Sequence, residues 1–400
     1  MDTPLVENRG LRYLDADRTR HIDLSAPPEA MWDEVIRRDG EEIRALADTI
    51  WEWMADRAGP LSVFLDPVAD IFAHLLERTG ARHGDEVISI ADRLGIDRDR
   101  VAVLQRLYSL SHLGCTTAIR GLGYHGMTLV RTLDWGEIDN PAVTRAIANA
   151  TRIFKFHRDS SPVFTAVGIA GCVGILSGMV PGCYAAAINW AANPQDRAGL
   201  GPGEEPLFRL REVLSGCDTY ADAVAALQRG GLSSSVYMSV CGAGAGEGCT
   251  IEYARIDRAP GFTVALRRYD DHRPVLALAN HYVAIQEPHA NDEVDATERS
   301  EAYLARVFEE AHGVPKPMAH WKLLATSRRR QALIEEALGQ LPAPNDLREV
   351  VRVLDDPECL LINPETCQAM VCCPGKSELH VWARINTDHK MPPNPAQPGK

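Results

Sequence analysis

Apolar positions follow a helical period through the first quarter of the chain and a strand-like pattern after it. From Pro27 and Pro28, which suit a helix start, WDEVIRRDGEEIRALADTIWEWMADR places apolar residues three and four apart. A second block, VADIFAHLLERTG, follows Pro67 and ends at Gly80. DEVISIADRLGI and RDRVAVLQRLYSLSHLG repeat the pattern, the latter with Val101, Leu104, Leu107 and Leu110 on one face. Residues 1–30 carry no such period and read as irregular.

The character changes at Cys115. From there to about residue 285 the chain reads as strands: CTTAIRG, GMTLVRTLDW, FTAVGIAGCVGILS, GCYAAAINWA, SSSVYMSVC, GCTIEYARI, FTVALRRYD and PVLALANHYV. One helix, TYADAVAALQRG (219–230), interrupts them. Helices return in TERSEAYLARVFEEA, RRRQALIEEALG and LREVVRVL, and the strands CQAMVCC and LHVWARI meet at a Pro374–Gly375 turn. MPPNPAQPGK has the composition of a disordered tail. The pattern predicts an α+β fold, with helices layered over two stacked sheets. It divides the chain into a helical segment 1–114, a sheet-rich body 115–390 and a tail 391–400.

At 400 residues the chain can bury a large core, and its formal charge of −13 argues against a nucleic-acid or anionic-membrane partner. The first 30 residues hold no apolar h-region, and no run of 18 apolar residues occurs, so a cytoplasmic chain without a membrane span is expected. Its 10 cysteines then read as reduced thiols, mostly small core residues such as Cys172, Cys183 and Cys241. Cys367, Cys372 and Cys373 lack a second pair or histidine at zinc spacing and read as buried strand. No metal or organic cofactor is implied. GAGAGEG lacks GxGxxG spacing and PGKS lacks the upstream glycine of a phosphate loop, so both read as turns, with Glu247 structural. Trp51, Trp53, Met54 and Phe64 fit packing of the helical segment on the body better than an acyl-binding surface.

The candidate chemistry lies in GCTTAIRGLGYHGMTLVRTLDWG. Arg131 and Asp134 follow Cys115 by 16 and 19 residues, on the return strand of a hairpin. That spacing brings a cation and a carboxylate to a thiol. A thiol nucleophile needs a base, and neither His112 nor His125 stands at a recognisable triad spacing. The alternative is the cysteine's own α-amino group, with an ordinary pKa of about 7.7–8.0, released if the Gly114–Cys115 bond is cut. Glycine at 114 leaves that carbonyl open to attack. The helical segment then reads as a propeptide. A plain ion pair of Arg131 with Asp134 is the bland alternative.

These features resemble the N-terminal-nucleophile (Ntn) hydrolases, in the branch holding acid ceramidase, N-acylethanolamine acid amidase and isopenicillin-N acyltransferase. The resemblance spans roughly residues 85–310. It rests on the helix pair running into the nucleophile, CTT…RTLDW, the glycine-rich GIAGCVGILSGMVPGCYAAAINW, GAGAGEGCTI and LALANHYV. It implies an αββα four-layer sandwich and no cofactor. It further implies Cys115 as nucleophile and base, Asp134 orienting its amine, Arg131 stabilising the thiolate, Asn280 donating to the oxyanion, and Arg299 as the second arginine. Asn189, Trp190 and Ala191 stand where the lipid amidases carry an acidic–basic pair, and Ala243 and Ala245 depart from the family's turn. The implied activity is hydrolysis of a linear N-acyl amide, the partner being that small molecule. Transfer of the acyl group to an amine and a non-catalytic binding protein are the alternatives. Oligomeric state stays open, a homo-oligomer included.

Overall fold

A computed structural model describes residues 9–59, 83–110, 113–135, 141–193, 203–255, 262–287, 289–317, 321–342, 344–356 and 361–385. The expected helix after Pro67, Phe64 and the tail 391–400 lie outside the described residues.

Two sheets stack face to face. The first has six strands: β1 (Arg12–Tyr13), β3 (Leu113–Gly121), β4 (Met127–Trp135), β12 (Val275–Leu278), β13 (Thr366–Cys373) and β14 (Glu378–Ala383), in the order β1-β14-β13-β4-β3-β12. The second has eight: β2 (Thr19–Asp23), β5 (Thr151–Arg158), β6 (Ser161–Ile169), β7 (Ser177–Val180), β8 (Tyr184–Trp190), β9 (Val236–Gly242), β10 (Gly248–Ala254) and β11 (Thr263–Arg268). Their order is β11-β10-β9-β8-β7-β6-β5-β2. Met127, Leu129, Val167, Met179, Ala185, Cys241, Met370 and Val381 interdigitate between the sheets.

Helices cover both outer faces, completing the expected αββα sandwich. Over the eight-stranded sheet lie α1 (Pro28–Met31), α2 (Asp33–Ala58), α3 (Gly84–Leu94), α4 (Arg98–Leu110), α5 (Pro141–Ala150), α6 (Pro206–Gly216) and α7 (Tyr220–Leu227). A further helix, α8 (Asp292–His312), buries only Val294 and Glu301. Over the six-stranded sheet, α9 (Ser327–Gly339) and α10 (Leu347–Asp355) bury Ile334, Leu338, Leu347, Val350 and Val351 against Ala118, Val130 and Ala369. Trp53 is core, and Trp51 and Met54 pack against it.

Several elements differ from the sequence pattern, each for a physical reason. Residues 9–30 are not irregular throughout: β1 pairs antiparallel with β14, and β2 pairs parallel with β5. In β2 the buried alternating positions are Arg20 and Ile22, and an inward arginine hides the apolar period. Arg20 is tolerated there because Asp39 on α2 receives its Nη2 at 2.5 Å and its Nε at 2.7 Å, while Arg152 of β5 donates to the same carboxylate at 2.9 Å. The segment 164–177 is not one strand. Gly171, at φ +92°, turns the chain between β6 and β7, against the Ile43 side chain. Strand β5 and helices α5 and α6 are additional. Helix α6 buries Arg211 within an apolar face, matched by Glu86 at 2.7 Å. The GAGAGEG turn closes because Glu247 folds back to accept the Gly244 N–H at 2.8 Å.

Candidate active site

Helix α4 ends at Leu110 and β3 starts at Leu113, so Cys115 is the third residue of a continuous strand. Gly114 pairs with Asp134, Cys115 with Leu133 and Thr117 with Arg131. Residues opposed across an antiparallel pair share a face, and faces alternate along each strand. Cys115, Thr117 and Arg131 therefore point between the two sheets, while Gly114, Thr116 and Asp134 belong to the face under α9. The hairpin brings the expected cation to the thiol but puts the carboxylate on the other side of the sheet, beside the peptide bond preceding the thiol.

On the inter-sheet side, Arg131 Nη2 lies 4.0 Å from Cys115 Sγ and donates to the Ile188 carbonyl at 3.1 Å. The Trp190 N–H also faces the thiol. Both groups, with Arg330, favour the thiolate, but burial dominates and pushes the Cys115 thiol above its ordinary value, with Asp134 adding to it. Tyr108, at the end of α4, stands beside the thiol and the guanidinium, its phenol raised well above the usual range by burial. Behind the thiol, Thr117 Oγ1 and Ser239 Oγ share a hydrogen bond of 2.7 Å, and Asn189 Nδ2 donates to Thr117 at 3.2 Å and to the Leu278 carbonyl at 3.0 Å. A narrow apolar cavity runs from Tyr108 and Trp135 past Leu104, Leu107 and Leu176.

The scissile-bond candidate is held from its own backbone. The Cys115 N–H donates to Asn280 Oδ1 at 2.9 Å. Arg330 Nη1 donates to the Cys115 carbonyl at 2.8 Å and to Thr116 Oγ1 at 2.5 Å. Its Nη2 donates to Asn280 Oδ1 at 2.8 Å. Two donors converging on one atom of the Asn280 amide require an oxygen there, which turns Nδ2 to the Trp190 carbonyl at 2.8 Å. One hydrogen of that nitrogen is thus engaged and the second is left for another acceptor. Asp134 Oδ1 accepts from Thr366 Oγ1 at 2.7 Å, and Oδ2 lies 3.8 Å from Arg330. Burial raises the Asp134 carboxyl above its ordinary range, opposed first by Arg330.

Cys115, Arg131, Asp134 and Asn280 thus come together. Arg299 does not: it is exposed on α8, five residues from Val294 and two from Glu301, facing away from both buried positions of that helix. The second arginine of the cluster is Arg330, on α9. Its signal was in the sequence as a cation in register with Ile334 and Leu338, on the apolar face of RRRQALIEEALG. Ser327, one turn earlier, accepts from the Asn280 N–H at 2.8 Å and bonds His281 Nδ1 at 2.9 Å. Tyr108 had no comparable signal, since a tyrosine closing an amphipathic helix is ordinary core.

The nine described cysteines are unbridged; Cys367, Cys372 and Cys373 are buried in β13. Among the described residues no histidine, cysteine or carboxylate cluster could hold a metal ion, and no helix is long and apolar enough to cross a membrane.

No family profile matches the chain. Over 255 residues it is 25% identical to acid ceramidase of Rattus norvegicus, which covers 58% of this chain and 63% of that protein. Acid ceramidase of Mus musculus is 26% identical over 259 residues, with the same shares. The chain thus spans less than two thirds of the length of these relatives, 63%. Among solved structures, the Caenorhabditis elegans ortholog of N-acylethanolamine-hydrolyzing acid amidase aligns with a TM-score of 0.46 and 20% identity, over 65% of this chain and 93% of that one.

Proposed function

We propose, for a chain that belongs to the Ntn-hydrolase family beside the acid ceramidases, that it is a cysteine amidohydrolase which matures by cutting itself between Gly114 and Cys115. The observation that carries this reading is the convergence on one residue: a guanidinium and a main-chain N–H at the Cys115 sulfur, and Asn280 and Arg330 on the Cys115 backbone.

In the uncut chain the Cys115 nitrogen is an amide and cannot accept a proton, and burial keeps the thiol protonated. Cleavage converts that nitrogen to an amine. The amine takes the thiol proton while Arg131 stabilises the sulfur anion. As an ammonium it has Asn280 Oδ1 and the Asp134 carboxylate as acceptors. The thiolate attacks the carbonyl of a linear N-acyl amide, and the oxyanion is met by the Trp190 N–H and the second hydrogen of Asn280 Nδ2. The ammonium then protonates the leaving amine. Water, activated by the same amine, releases the acyl group from Cys115.

Intact mass of the wild type beside Cys115→Ala tests the reading. The expected result is pieces of 114 and 286 residues from the wild type and an uncut variant. Hydrolysis of N-acyl amides, measured with and without an amine acceptor, then separates hydrolysis from acyl transfer. An uncut wild type that also resists a thiol-directed substrate analogue at Cys115 would overturn the reading.

A further inference from the structure

Helix α8 is fastened to the body along one side. Val294 is buried there, and Glu301 accepts from Lys316 Nζ at 2.6 Å. Arg328 of α9 donates to Asp295 at 2.7 Å and to Glu298 at 2.5 Å. Roughly a third of the way round the helix runs an apolar stripe. Ala296, Tyr303, Val307 and Ala311, all exposed, follow one another at seven, four and four residues, with Leu304 beside them. Those intervals keep side chains on one face. Of the six large apolar or aromatic side chains exposed among the described residues, Tyr303, Leu304 and Val307 are on this helix and Val314 follows it. Apolar surface gathered in this way marks a contact face, where scattered residues would not.

One flank of the stripe carries Arg299, Tyr303, Arg306 and Glu310, all exposed. Arg299 and Glu310 lie three helical turns apart and nearly in line along the axis. Among the described residues neither has an ion-pair partner. The Arg306 guanidinium stands 6.0 Å from the Tyr303 ring centroid. The four are placed symmetrically about a point between Leu304 and Ala305, Arg299 balancing Glu310 and Tyr303 balancing Arg306. When two identical helices pack antiparallel about a two-fold axis, the same flank of each copy meets the other. With the axis at that point, Arg299 of one copy meets Glu310 of the other, and Arg306 of one meets the Tyr303 ring of the other, twice over. A lipid surface is a poorer match. Helix α8 carries seven carboxylates against two arginines, in a chain of formal charge −13, and an anionic bilayer repels it.

We propose that α8 is a self-association surface, on which a second copy of this chain lays its own α8 antiparallel to form a two-fold dimer. Leu304 and Val307 of both copies make its apolar centre, and the Arg299–Glu310 pairs fix its register.

Sedimentation equilibrium of the full chain at micromolar concentrations, where weak interfaces dissociate, tests the proposal. The wild type is expected to pass from the mass of one chain to that of two. Arg299→Glu alone, or Glu310→Arg alone, turns both cross-pairs into like-charge pairs. Either should raise the dissociation constant by about 4- to 30-fold, two exposed pairs reversing at once. Arg299→Glu with Glu310→Arg exchanges the charges and should bring it back to within about threefold of the wild type. Val307→Glu should leave a single chain at every concentration, because it puts a carboxylate into the apolar centre from each side. All three positions are exposed, so the variants should keep the wild-type urea midpoint. A wild type that stays a single chain overturns the proposal, as does a dimer that Val307→Glu leaves intact. Single charge reversals that change nothing, or that the double variant does not rescue, overturn it too. A single chain that binds phosphatidylcholine vesicles through this stripe, with Val307→Glu released from them, would assign the face to a bilayer instead.

Discussion

Replacing Arg330 by lysine keeps a positive charge on α9 and removes the planar fork. In the wild type, Nη1 serves the Cys115 carbonyl and Thr116 Oγ1, Nη2 serves Asn280 Oδ1 and the Leu323 carbonyl, and Nε reaches Thr326 Oγ1 at 3.2 Å. An ammonium offers three hydrogens from one point, so at least two of these five acceptors lose their donor. Hydrogen bonds to a charged group contribute about 1.5–3 kcal/mol each, which puts the loss at about 3–6 kcal/mol. A domain with a net stability of about 5–15 kcal/mol survives that with a markedly lower urea midpoint. Urea unfolding in a Cys115→Ala background isolates the effect, because neither protein is then cut. Intact mass in the wild-type background reads processing, expected to slow by at least about tenfold, since a loss of as little as about 1.4 kcal/mol of transition-state positioning has that effect. A lysine variant with an unchanged urea midpoint and an unchanged cleavage rate would refute Arg330 as the residue that holds the scissile strand and Asn280 in register.

Asp39→Asn removes the carboxylate between Arg20 and Arg152, all buried; breaking such a group costs about 3–5 kcal/mol, and tryptophan-monitored urea unfolding checks it. An Asp39→Asn protein as stable as the wild type would show that the arginines find other partners. His281 is held neutral, its pKa lowered to about 4 by burial and then by Arg328, Arg330 and Arg267. The unfolded chain takes up this proton near pH 6.5 and the folded chain does not, so the contribution is full above that pH and is lost as pH falls towards about 4. His281→Gln should flatten the stability slope across that window, and an unchanged slope would assign it to other groups. After cleavage the two pieces should stay together on native size-exclusion chromatography and separate in urea. The 114-residue piece supplies β1, β2 and helices α1 to α4 to the shared sandwich, and a piece that elutes alone would contradict these pairings.

How far the chain could be read without coordinates varied with the range of the interaction. Cys115 and Arg131 lie on adjacent strands of one hairpin, and strand alternation across a short turn is local enough to infer from spacing. Asp134 stands three residues from Arg131 on the same strand, so alternation alone puts the two on opposite faces, and only the register says that Arg131 is the one sharing the face of Cys115. Helices α2, α3, α4, α9 and α10 were legible because each buries one stripe against a sheet, which leaves a period of 3.6 in the sequence. Strand β2 was not, because Arg20 fills an inward position, made tenable by Asp39 and by the Asp17 and Thr19 carbonyls.

The sequence alone determined the α+β class, the Cys115 thiol with its preceding glycine, and the cation two residues along the return strand from its partner. Folding decided which distant groups complete the site. Arg330 stands 215 residues from the carbonyl it serves, and Leu323 and Asn280 reach the Gly114–Cys115 segment across the helix layer and the sheet edge. Sequence periodicity records which side of an element is buried. It does not record what that side meets, because the meeting is set by how four layers stack, and a buried arginine looks like a surface one until its acceptors are in place.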